Sequence, residues 1–177
     1  MKIAPLVVSL SALAGSAFAQ ATIKDALVKH WKSSADFTLA VADAMPADGY
    51  TFKPVPEEMS FGQVMIHIGT ANLGACANAG GMDRPAVPAR LQDASKDEKV
   101  APAKGEVMQF LRDSFDFCNK SVAAITPEKL DAMVGPQNRK MTGYEWLWSY
   151  FTHTAHHRGQ AEVYLRVKGI KPPTYVF

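Results

Sequence analysis

From Trp146 to Val167 the side chains Trp146, Tyr150, His153, His157, Gln160, Tyr164 and Val167 are spaced 4, 3, 4, 3, 4, 3. Only an α-helix brings such a series onto one line, and a line this long is the seam by which a helix faces a bundle interior. Thr142 with Glu145 three residues later opens the segment as a capping box, and Gly169 closes it with Pro172 and Pro173 behind. Three earlier segments share the helical period. The first spans roughly residues 22–45, with Thr22 and Asp25 as a capping pair and an apolar stripe of Ile23, Leu27, Phe37, Val41 and Met45 ending at Pro46. The second opens on the Ser60/Gln63 capping box, turns Phe61, Val64, Met65, Ile68 and Ala71 inward, and ends near Gly80-Gly81. The third runs over 104–125 and stops at Thr126-Pro127. No alternating strand pattern lies between them. Residues 82–103, with Pro85, Pro88 and Pro102, form a connection long enough to cross the bundle, so the third helix is free to run parallel to the second. The expected fold is an all-α four-helix bundle with a long crossover between helices 2 and 3.

The apolar share of 47% in 177 residues suits one globular domain with a sizeable core, and a formal charge of +2 offers no electrostatic footprint for nucleic acid. Residues 1–19 read as a cleaved leader: Lys2 supplies the positive end, Ile3 to Ala14 the short apolar run, and Ala17-Phe18-Ala19 a small-x-small cleavage site. The expected mature domain is 20–177, periplasmic or otherwise exported, and no later segment is a membrane span, so no membrane association is expected after cleavage. Such a compartment lets Cys76 and Cys118 pair. Both lie on apolar helix faces, and they fall at similar heights if the second and third helices run parallel. A disulfide is the expected state, and two buried free thiols are the alternative.

His153 and His157 occupy adjacent places on the seam, and an i, i+4 pair projects two imidazoles from one face in the arrangement that chelates a metal. His156 points about 80° away and belongs at the rim. A third ligand must come from a facing helix, and His67, beside the buried face of the second helix, is the histidine available there. His30 on the first helix would sit roughly 10 Å along the axis from His67 and reads as packing or surface. A lone inward histidine is more often a hydrogen-bonded core residue than a ligand. Two adjacent ones are costly to desolvate without a cation, and this favours the metal.

Glu57-Glu58-Met59-Ser60-Phe61-Gly62-Gln63 with His67, His153-Thr154-Ala155-His156-His157-Arg158-Gly159-Gln160, Gly169-Ile170-Lys171-Pro172-Pro173 and the Tyr50–Pro54 loop resemble the DinB family over nearly the whole mature chain. The resemblance implies an up-down-down-up bundle, often a homodimer. It also implies one divalent transition metal (zinc, nickel or iron) on His67, His153 and His157, with open positions taken by water. Three histidine ligands with an open position are the catalytic arrangement, which points to a metal-dependent enzyme of hydrolase or transferase type acting on a small molecule. Some relatives are thiol-dependent transferases, and an oxidising compartment is a poor place for a reduced cosubstrate. The residues name no general base, because Glu145 is accounted for as a cap. A non-catalytic exported protein that binds a metal or a small molecule is the alternative, with Trp146, Tyr150 and Tyr164 either lining an aromatic pocket or serving as plain core. A second apolar stripe on the fourth helix (Tyr144, Leu147, Trp148, Phe151 and Ala155) needs a cover, either a second subunit or the 82–103 loop.

Overall fold

The computed structural model describes the backbone of residues 7–175 and the side chains of residues 23–175. The leader's first residues and its cleavage-site side chains lie outside that description. Four long helices carry the fold: α1 (Val7–Ala44), α2 (Phe61–Gly80), α4 (Lys104–Ala124) and α6 (Gly143–Val167). Between them come a 3-10 turn (Ala47–Thr51), the short helices α3 (Ala89–Ala94) and α5 (Pro127–Asp131), and a ribbon of β1 (Met133–Val134) antiparallel to β2 (Met141–Thr142). No helix among the described residues is long and apolar enough to cross a membrane.

Side-chain contacts give the directions. Going down α2, Gly62 meets Pro102, Gly69 meets Phe110 and Gly80 meets Ser121, so α2 and α4 run parallel. Met59 meets Tyr164 while Asn72 meets Thr154, so α6 runs against α2. Trp31 meets Phe151 and Ser34 meets Arg158, so α1 and α6 run parallel. The result is an up-down-down-up bundle, with α3 inside the crossover. The close approach of α2 to α4 depends on the missing side chains of two glycines. A Cβ on Gly69 would sit 2.6 Å from the Phe110 ring, and one on Gly80 2.3 Å from Ser121 Oγ. Cys76 and Cys118, with Cα atoms 5.2 Å apart, join the same two helices by a disulfide.

Both capping boxes form: Ser60 with Gln63 opens α2, and Thr142 with Glu145 opens α6. Gly81 and Gly169, at φ 61° and 74°, take the left-handed positions that end these helices. Four sequence expectations need correction. Helix α1 passes through Thr22 unbroken, so Thr22 is not its cap in the full chain. Ile23 is 43% exposed. By the register of Trp31 against Phe151 it stands level with Gly143, where α6 begins and the bundle ends. Val167 is 59% exposed for the corresponding reason at the other end, since Tyr164 already bonds to Met59, ahead of the first residue of α2. The β-ribbon stands where the sequence shows no strand pattern, because strands of two residues are too short to leave an alternation.

Candidate metal site

The bundle brings His67 of α2 against His153 and His157 of α6. Their register is held by a buried hydrogen bond in which Thr154 Oγ1 donates to Asn72 Oδ1 at 2.9 Å. Ring centroids are 4.9 Å apart for His67–His153, 4.6 Å for His67–His157 and 4.5 Å for His153–His157. One nitrogen from each ring can be chosen so that all three lie within 4.8 Å of one another. His67 Nε2 and His153 Nε2 are 3.0 Å apart. Two ligands at ~2.1 Å from one cation and ~90° apart are separated by about 3.0 Å, so these nitrogens are already spaced to share an ion. His156 is exposed at the rim, and His30 lines a separate apolar groove with Trp148 and Phe151. Neither joins the group.

The protonation states suit ligation. His157 Nδ1 lies 3.0 Å from Gln160 Oε1, an oxygen that can only accept, so the Nδ1–H tautomer fits this contact and leaves Nε2 as the nitrogen available to a metal. The Gln160 amide in turn donates to Glu58 Oε2 at 2.9 Å and to the Tyr164 hydroxyl at 3.0 Å, and Tyr164 donates to the Met59 carbonyl. Outer hydrogen bonds of this kind fix the tautomer and aim of a metal-binding imidazole. Burial, reinforced by the neighbouring imidazoles, pushes His153 down to about 4, and burial with His157 lowers His67 below the ordinary histidine value. Both are therefore neutral at pH 7, as a ligand must be. His153 Nδ1 is buried without a hydrogen-bond partner among the described residues. An imidazole cluster so desolvated fits a bound cation better than an empty core. Because the folded state resists protonation, the metal-free protein should lose stability as pH falls from about 6.5, where the unfolded chain takes up the proton, to about 4, where the folded His153 does. The melting temperature of chelator-treated protein across that window measures the loss.

The most buried stripe of α6 is Leu147, Thr154, Arg158, Ala161 and Leu165, and the histidine seam lies on its flank, half-buried and open to one side. Arg158 is an interior residue: its guanidinium donates to Ser34 Oγ at 3.0 Å and to Thr38 Oγ1 at 3.3 Å, and it sits 4.7 Å from the Phe37 ring centre. Of the seam aromatics, Trp146 and Tyr164 are core, while Tyr150 faces a cleft. That cleft, about 440 Å³, has His67 and His153 in its lining along with Thr70, Gly74, Ser149 and Tyr150, and Arg84 and Arg139 stand on its walls. Glu58, part of the Glu57-Glu58 pair in the sequence, reaches the site only through Gln160.

The sequence pattern of the DinB superfamily matches residues 30–161. Among solved structures, the chain is similar to a DinB-like protein from Bacillus cereus, at 20% identity and a TM-score of 0.70, over 86% of this chain and 97% of that one. It is also similar to a DinB-like protein from Bacillus subtilis, at 21% identity and a TM-score of 0.66, over 84% and 95%. No curated protein matches.

Proposed function

The chain belongs to the DinB superfamily, and from that premise we propose that it holds one divalent transition metal (zinc, nickel or iron) on His67, His153 and His157 and acts as a metal-dependent enzyme of hydrolase or transferase type. The observation that carries this reading is the convergence of three imidazoles beside an open cleft. A closed structural site would finish its coordination with a fourth protein ligand, whereas three ligands leave room for substrate. A metal held there supplies Lewis acidity to an oxygen atom brought into the cleft. The chain's own groups do the rest: Gln160, backed by Glu58 and Tyr164, holds His157 in its ligating tautomer, and the Asn72–Thr154 bond keeps the two helices in register. Three neutral nitrogens do not select among the candidate metals.

A second reading is a non-catalytic pocket whose metal helps to bind a small molecule. It draws support from the cleft lining, which among the described residues contains no carboxylate to serve as a base. Turnover of a panel of esters, lactones and thiol acceptors, with and without added metal, separates the two. Metal-dependent turnover supports the enzyme, and metal uptake without turnover supports the binder. The proposed setting is outside the cytoplasm after cleavage at Ala19, and the mass of the secreted chain tests it. We also propose a homodimer through the exposed Trp148 (51%) and its stacked neighbours Tyr144 and Phe151, beside the groove of about 430 Å³ that includes Ile23 and Leu27. Residues 82–103 do not line this groove. Sedimentation should show a dimer at micromolar concentration, and Trp148→Glu should shift it to monomer.

A further inference from the structure

The walls of the cleft carry charge of one sign. Arg84 stands on the α2 side. Gly81 at φ 61° ends α2 and turns the chain back, and the guanidinium passes over Gly74 at ordinary contact distance, its Cζ 3.9 Å from where a Cβ would stand. One Arg84 nitrogen donates to the Thr70 carbonyl at 3.2 Å. Arg139 stands on the α6 side, carried there by the ribbon. Gly135 makes its turn at φ 104°, Trp146 Nε1 ties the ribbon down by donating to the Val134 carbonyl, and the Arg139 guanidinium lies 5.0 Å from the Trp146 ring centre and 5.7 Å from that of Tyr150. It donates to the Tyr150 hydroxyl at 3.2 Å. A second cleft of about 410 Å³ shares Thr70 and Arg84 with the first and adds Lys96. The chain has 17 acidic residues against 19 basic ones, yet among the described residues no carboxylate lines either cleft.

This bias is local, since the protein as a whole is near charge balance. Each guanidinium is exposed on the cleft wall and donates to one uncharged partner, the Thr70 carbonyl for Arg84 and the Tyr150 hydroxyl for Arg139, which leaves N–H groups of the fork to spare. Planar forks of this kind match carboxylate and phosphate oxygens, and a cleft with low-dielectric walls concentrates the potential. We propose that Arg84 and Arg139 form an oxyanion subsite beside the histidine cluster, so that the ligand of this cleft is a small molecule bearing a carboxylate or phosphate group. The inference rests on the metal-centre reading for what happens next to the oxyanion, but the subsite itself is built from residues outside the histidine set. Arg139→Gln and Arg84→Gln each remove one fork while leaving the three histidines intact.

Phenylphosphonate, benzoate and the neutral benzamide, titrated calorimetrically into zinc-loaded and metal-free protein, provide the test, with metal content measured on the same samples. Both anions should bind at least about tenfold more tightly than benzamide and more weakly as salt rises. Arg84→Gln and Arg139→Gln should each lower anion affinity about tenfold or more and leave benzamide unchanged, while Arg90→Gln, on the surface beside Glu106, should change nothing. Replacement by lysine should restore part of the loss, which separates charge from packing. The preferred anion then identifies the group, carboxylate or phosphoryl. Zinc uptake with anions bound no better than benzamide overturns the subsite alone, as do arginine variants that bind anions like the wild type. Anion binding that depends on the arginines in a protein that takes up no metal supports the subsite and overturns the metal centre.

Discussion

Purified protein loaded with zinc is expected to hold about one ion per chain, and His67→Ala, His153→Ala or His157→Ala should each weaken binding by at least about 100-fold. Each substitution removes one of three ligands whose nitrogens already lie within 4.8 Å of one another. Among the described residues no fourth protein ligand stands in the group to replace it. Gln160→Ala should cost less, about 10- to 100-fold, because it frees His157 Nδ1 without removing a ligand. His156→Ala and His30→Ala should leave metal content unchanged, since one ring is exposed at the rim and the other lines a different groove. Metal analysis after dialysis against a competing chelator reads all six variants. If His156→Ala emptied the site as fully as His157→Ala, the assignment of the inward face of α6 would be wrong.

Replacing Cys76 and Cys118 together by alanine is expected to lower the melting temperature by roughly 8–16 °C. The bridge spans a sequence separation of 42, and closing a loop of that length in the unfolded chain corresponds to about 4 kcal/mol in the chain-entropy model. For a domain of this size each kcal/mol moves the midpoint by about 2–4 °C. Both sulfurs are buried where α2 passes α4, beside Ala75, Val122 and Leu147, so the pair ties the two parallel helices at one level. Thermal unfolding of the double variant next to the oxidised wild type measures the effect. Two alkylatable thiols in wild-type protein denatured without reductant would sink this prediction, as would a midpoint that the double substitution leaves in place.

The four long helices and the capping boxes of α2 and α6 could be read from the chain because each rests on a local signal: a 3.6-residue period, Ser60 or Thr142 followed by a glutamine or glutamate at the third position, and glycine or proline at the ends. His153 and His157 were legible for the same reason, since an i, i+4 pair on a periodic stripe needs only helix geometry to be placed, whereas His67 was read as the histidine beside the buried face of a facing helix. That local geometry does not say how far a helix is rotated about its axis in the bundle. The assembled bundle turns Thr154 and Arg158 into the core of α6 and leaves the histidine seam on the flank, where it can open to a cleft. Nor does period locate the ends of a packed layer, which is why Ile23 and Val167 belong to helical stripes and yet face solvent. Arg84, Arg139 and Glu58 sit in connections, where no repeat marks the direction of a side chain. Only the tertiary structure brings Arg84 across Gly74, swings Arg139 over Trp146 on a four-residue ribbon, and joins Glu58 to His157 through Gln160. Which long helices form, and that His153 and His157 share one helix face, depend on neighbours a few residues apart. The charge and shape of the space in front of those imidazoles depend on contacts between residues as far apart as 58 and 160, and these exist only once the chain has packed.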